Sequence, residues 1–152
     1  RDASSSGLPT RVLLCSHQAS ADLFIEQYFG IIKNNPSRPW QETVIRVVPP
    51  FLRNTGPYPH LYNTVSEFSK LLQDECSNHI IVVATYNTSF DLWRELPAGY
   101  FTHILLDEAA QVTEPEALCP FSIATSNTRI ILAGDTCQVI FAALAAIAEA
   151  SA

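Results

Sequence analysis

The chain has 152 residues, with 9 Lys and Arg against 15 Asp and Glu, a formal net charge of −6 at pH 7. That length sets one domain as the expectation, and 47% hydrophobic with 16% charged residues excludes an intrinsically disordered segment. The acidic balance excludes broad electrostatic capture of nucleic acid, so any such contact must be local or completed by other parts.

The four cysteines, Cys15, Cys76, Cys119 and Cys137, are widely spaced and form no C-x-x-C. They argue against structural zinc and fit reduced thiols packed as small hydrophobes. The sequence contains no Met and opens on Arg1, which sets a piece of a longer or processed chain as the expectation. No signal-peptide pattern is visible, and the apolar tract from Val139 to Ala148 is too short to span a bilayer. The expected location is cytoplasmic, or nuclear, with no membrane partner.

Residues 1–10 are polar and Ser-rich and read as a linker or frayed end. Arg11-Val12-Leu13-Leu14-Cys15 is an apolar run of strand length. Ala21, Phe24, Ile25, Tyr28 and Ile32 then recur at helical spacing, with Ser20 in the N-cap position. Asn34 to Pro39 breaks that helix. Thr43 to Val48 is a second strand, closed by Pro49-Pro50, and the stretch to Pro59 reads as a loop. Leu61, Val65, Phe68 and Leu72 again show helical spacing. His79 to Thr85 is a buried strand, and Ser89 to Leu96 a short helix before Pro97. A further short helix is expected around Pro115 to Leu118. Strands alternating with helices predict an α/β fold, a parallel sheet with helices on both faces. The Ala-rich tail, residues 139–152, has high helix propensity.

Two apolar runs end in acid. His103-Ile104-Leu105-Leu106 leads into Asp107-Glu108-Ala109-Ala110-Gln111, and Ile130-Ile131-Leu132 into Ala133-Gly134-Asp135-Thr136-Cys137-Gln138. Adjacent parallel strands of this kind place carboxylates together at the carboxyl edge of a sheet, where α/β proteins build their sites. An apolar strand followed by Asp-Glu is the Walker B arrangement. One carboxylate anchors Mg²⁺, and the second orients and deprotonates an attacking water beside a nucleoside triphosphate. Alone, Asp-Glu is a common surface pair; the strand before it and the second acidic strand give it weight.

Together these segments resemble the first RecA-like domain of superfamily 1B RNA helicases. Asp-Glu-Ala-Ala-Gln looks like motif II, Leu132 to Gln138 like motif III, and Cys15-Ser16-His17-Gln18-Ala19-Ser20-Ala21-Asp22 like motif Ia. Val83-Ala84-Thr85-Tyr86-Asn87-Thr88-Ser89 fits the strand-end segment that touches nucleic acid. The wording is most similar to the helicase with zinc finger domain family, above all at Phe101 to Gln111, and it covers roughly residues 11–138.

The resemblance implies an incomplete RecA-like, P-loop NTPase domain over residues 11–138, with ATP and Mg²⁺ as cofactors and single-stranded RNA as partner. It implies that Asp107 holds Mg²⁺ and Glu108 is the general base. Gln138 would sense the γ-phosphate, Asp135 would shape that edge, and Gln111 would bridge to neighbouring motifs. Ser16, His17 and Thr85 would approach the RNA backbone. The sequence departs from the family in lacking any Gly-x-x-x-x-Gly-Lys-Ser/Thr loop. The resemblance therefore implies an upstream P-loop segment and a second RecA-like domain as partners, and no ATPase in this piece alone. Gln18-Ala19 stands where motif Ia commonly carries Asn, and Val139-Ile140-Phe141 where motif III continues with Leu and Pro. In the family the P-loop strand sits centrally in the sheet; without it, neighbouring edges should be exposed or pair abnormally, and marginal stability or aggregation is expected.

Two other functions fit parts of the pattern. One is a non-catalytic RecA-like interaction or regulatory module; the other is an Mg²⁺-dependent phosphohydrolase built on Asp107, Glu108 and Asp135. His17, His60, His79 and His103 have no metal-ligand spacing; hydrogen-bonded or surface imidazoles are the simplest reading of the last three, while the place of His17 in motif Ia leaves an RNA contact equally open. Packing is likewise the simplest role for Trp40 and Trp93, with base stacking the alternative.

Overall fold

Short apolar runs punctuated by breakers become strands buried on both faces. The computed structural model describes residues 10–33, 44–73 and 81–135. Among these, six strands form one all-parallel sheet: β1 (Val12–Ser16), β2 (Val44–Val47), β3 (Tyr62–Asn63), β4 (Ile81–Thr85), β5 (His103–Leu106) and β6 (Arg129–Leu132). Their order across the sheet is β3-β2-β4-β1-β5-β6. The helices are α1 (Gln18–Lys33), α2 (Val65–Gln73), α3 (Tyr86–Glu95) and α4 (Glu114–Phe121). This is the RecA-like α/β arrangement the sequence suggests.

Side-chain alternation in β1 assigns the helices to faces. Leu13 and Cys15 join Phe68 of α2, Leu92 of α3, Phe101 and Ile123 in one cluster. Leu14 joins Ala21 and Ile25 of α1 in another. Each fully buried Leu or Ile stabilises the fold by about 1.5–3 kcal/mol, so both faces contribute.

Local differences from the sequence reading have physical causes. α1 starts at Gln18, two residues before the expected cap, because the Ala21 amide already donates to His17 O at 2.9 Å. Ser20 thus lies inside the first turn. Leu61 belongs to a 3-10 turn, and α2 begins after Thr64. There Thr64 Oγ1 accepts from the Glu67 amide (3.2 Å) while Glu67 Oε2 accepts from the Thr64 amide (2.6 Å), a reciprocal cap. α3 begins at Tyr86, capped by Thr85. Strand β3 is two residues long in a Pro-rich stretch and leaves no period to read. Trp93 is 46% exposed, its ring 5.2 Å from that of Phe90 on the surface of α3. His103 Nδ1 sits 2.9 Å from Thr102 Oγ1. Trp40, His79, the first nine residues and the tail after Asp135 lie outside the described residues. Among the described residues no helix is long and apolar enough to cross a membrane.

Strand β2 holds a charge in the core. Arg46 is fully buried, its Nε donating to Asp22 Oδ1 (3.1 Å) and its Nη1 to Val47 O (2.8 Å) and Val83 O (3.3 Å). Burial pulls the guanidinium pKa down, and Asp22 pulls it back up. Asp22 also accepts from Gln18 Nε2 at 2.8 Å, so the first turns of α1 are moored to the sheet.

The opposite end is bare. Ile130, Ile131 and Leu132 of the edge strand β6 are 43%, 49% and 62% exposed, an apolar edge that the described residues leave uncovered.

Candidate active site at the carboxyl edge

The register fixes where the acidic residues emerge. Cys15 pairs with Leu106, and Leu106 with Leu132, so Asp107 leaves the sheet between the ends of β1 and β6. Its amide donates to Cys15 O at 2.9 Å, and its carbonyl accepts from the Tyr86 hydroxyl at 2.6 Å. Burial pushes the Tyr86 phenol pKa up, with Cys15, Asp107 and Glu108 adding to it, so the hydroxyl stays a donor. Ser16 Oγ donates to Asp107 Oδ2 at 3.1 Å.

Glu108 adopts φ 57, the left-handed region, and is the one non-glycine residue to do so among the described residues. That conformation costs roughly 1–3 kcal/mol and is held by its surroundings. The chain reverses there into a 3-10 turn, Ala109–Gln111, with Ala109 N donating to Ala133 O at 2.8 Å and Gln111 N to Glu108 O at 2.9 Å. The two carboxylates therefore diverge. Glu108 Oε1 accepts from Ser20 Oγ at 3.0 Å, and Oε2 lies 3.8 Å from His17 Nε2.

Gly134 follows from the same close packing. A Cβ there would stand 2.9 Å from Ala110 N and 3.1 Å from Ala109 N, both backbone atoms with no freedom to retreat. Gly134→Ala is expected to cost about 1–3 kcal/mol, read as a lower urea midpoint. An unchanged midpoint would mean the turn after Glu108 tolerates displacement.

A pocket of about 220 Å³ opens beside the carboxylates, lined by Ser16, His17, Gln18, Thr85, Tyr86, Asn87 and Glu116. It brings together the three residues read as nucleic-acid contacts. Ser16 and Thr85 are register partners across β1 and β4, and the His17 and Tyr86 rings lie 5.9 Å apart. Thr85 Oγ1 also accepts from the Thr88 amide at 3.3 Å, so this hydroxyl caps α3. Asp135 lies beyond β6 at the same edge as Asp107, and Gln111 is exposed at the end of the 3-10 turn. Gln138 lies outside the described residues.

Sequence reasoning missed Ser20 as a partner of Glu108 and Glu116 as a pocket wall, while Tyr86 and Asn87 fall within the segment read as touching nucleic acid. For Ser20 a signal existed: residues 17 and 20 share a helical face. Cys15, buried with its thiol pKa pushed up to about 12 by desolvation, carries no nucleophile.

Among the described residues no three His, Cys, Asp or Glu side chains converge as a metal cage. Asp107 and Ser16 offer a carboxylate and a hydroxyl instead. Those hard oxygen donors fit Mg²⁺, which keeps several waters and takes other ligands from phosphates.

A family model described as an AAA domain matches residues 60–140. The human protein "Probable helicase with zinc finger domain" is 41% identical over 143 aligned residues, covering 86% of this chain. The chain belongs to the superfamily 1 helicase family. Other relatives of this helicase segment include mouse "3'-5' exoribonuclease HELZ2", 39% identical over 141 residues with 86% of this chain and 4% of that protein covered. Drosophila melanogaster "Probable RNA helicase armi" is 41% identical over 63 residues, 40% of this chain and 5% of that protein. The segment spans 7% of the length of the human helicase it matches.

Proposed function

We propose that this chain supplies the water-activating half of the ATPase site of an RNA helicase. The carrying observation is that Asp107 and Glu108 emerge from one strand end and diverge, Asp107 toward Ser16 and Glu108 toward His17 and Ser20. Adjacent carboxylates that point apart divide two tasks. Asp107, oriented by the hydrogen bond from Ser16, holds Mg²⁺. Glu108, on its flexible side chain, takes the proton of the attacking water. The ion, when bound, neutralises charge on the phosphates.

Asp135 shapes the same edge, Gln111 bridges to neighbouring motifs, and Gln138 senses the γ-phosphate. Ser16, His17 and Thr85 approach a single-stranded RNA backbone in the shared pocket, where hydroxyl, imidazole and main-chain groups suffice despite the net charge of −6. No Gly-x-x-x-x-Gly-Lys-Ser/Thr occurs in the 152 residues. The phosphate cradle and a second RecA-like domain then come from elsewhere in the working protein.

The test is RNA-stimulated ATPase. The 152-residue chain is expected to hydrolyse no ATP above background, and the same chain joined to a P-loop-bearing segment and a second RecA-like domain is expected to do so. Turnover by the chain alone, or of a simple phosphate ester, would instead support an independent phosphohydrolase.

A further inference from the structure

The Glu108 carboxylate accepts one hydrogen bond, from Ser20, and lies within ion-pair range of His17. A carboxylate about to accept a proton from water needs an oxygen open to that water. Here Oε1 takes the Ser20 hydroxyl at 3.0 Å and Oε2 faces His17 at 3.8 Å, so both oxygens turn to the start of α1 and the residue before it. His17 belongs to two places at once. It lies 3.8 Å from the Glu108 carboxylate, and it lines the pocket with Ser16, Thr85, Tyr86 and Asn87. Its side chain is 42% exposed, so a ligand in the pocket can reach it.

We propose that Ser20 and His17 are positioning residues that latch Glu108, and that single-stranded RNA entering the pocket releases it by drawing His17 away. The proposal rests on the helicase reading, because it assigns the pocket to RNA and Glu108 to the base. The chemistry is competition: a backbone phosphate and the Glu108 carboxylate are both anions, and one imidazole N–H serves one of them. Ser20 makes the latch hold, since it fixes the carboxylate at the place where His17 meets it. Asp22, hydrogen-bonded to Gln18 and Arg46, keeps the helical turn that carries Ser20 against the sheet.

Such coupling is reciprocal. If RNA releases Glu108, then loosening Glu108 must tighten RNA. The test is binding of a short fluorescein-labelled oligouridylate to the full chain, with no nucleotide and no metal. Ser20→Ala leaves the charge unchanged and is expected to tighten binding about two- to tenfold, the range set by one hydrogen bond. Ser20→Thr keeps the hydroxyl and is expected to bind as the parent does. In a Glu108→Ala background, where no carboxylate is left to hold, Ser20→Ala is expected to add nothing; this cycle separates the latch from simple loss of negative charge. Parent-like or weaker binding by Ser20→Ala, or an effect that persists without Glu108, overturns the latch and leaves the helicase reading standing. A parent chain that binds no RNA overturns both.

Discussion

Glu108→Gln, in a protein joining this chain to its phosphate-binding loop, is expected to slow ATP hydrolysis by about 100- to 10,000-fold, the range for loss of a positioned base. The amide keeps the size and left-handed backbone of Glu108 and can still accept from Ser20, so the site should stay assembled. Nucleotide affinity should therefore remain close to that of the parent. Single-turnover hydrolysis beside fluorescent-nucleotide binding measures the two separately. Asp107→Asn should behave differently, lowering both rate and metal-dependent affinity, because it removes charge from the metal position. Comparable hydrolysis by Glu108→Gln and the parent would move the base to another residue.

The second large effect concerns the fold. Arg46→Ala leaves Asp22, 7% exposed, without its cation and opens a cavity between β2 and α1. Breaking a buried pair from one side costs about 3–5 kcal/mol. At about 2–4 °C per kcal/mol for a domain of this size, the melting temperature should fall by roughly 10 °C. Removing both partners with apolar residues, Arg46→Met with Asp22→Leu, should recover most of that loss, since no charge is then stranded. A single substitution that melts with the parent would show that water reaches Asp22 freely. Because Asp22 moors the first turns of α1, the single variant should also loosen Ser20 and His17.

The sheet and the acidic strand ends were legible because their signals are local. An apolar run of strand length bounded by breakers carries its own reading, and β1, β4, β5 and β6 follow from it, with β5 alone running into Asp-Glu. What stayed hidden depends on residues distant in sequence. Arg46 in Val-Ile-Arg-Val gives no sign of a partner until Asp22, 24 positions away, is seen against it. Glu108 adopts left-handed backbone without the glycine that usually announces it. Ser20 sits where a cap is expected, and only the position of Glu108, 88 residues on, shows what its hydroxyl does. The apolar face of β6, Ile130 to Leu132, is exposed among the described residues, a feature that the apolar run alone does not announce. The assignments to Gln138, the linker and the tail fall outside the described residues.

The two neighbouring carboxylates also differ in how they are held. Asp107 is fixed through its main chain by Cys15 and Tyr86, whereas the Glu108 carboxylate is held by side-chain contacts to Ser20 and His17. Moving the second therefore needs rotation about side-chain bonds alone, with no strand or loop displaced. For a partly exposed side chain that takes picoseconds to nanoseconds, against typical enzyme turnover near about 10 per second. A device of this kind re-equilibrates many millions of times in each catalytic cycle, so RNA would govern how often the base is ready and never how long it takes to become so.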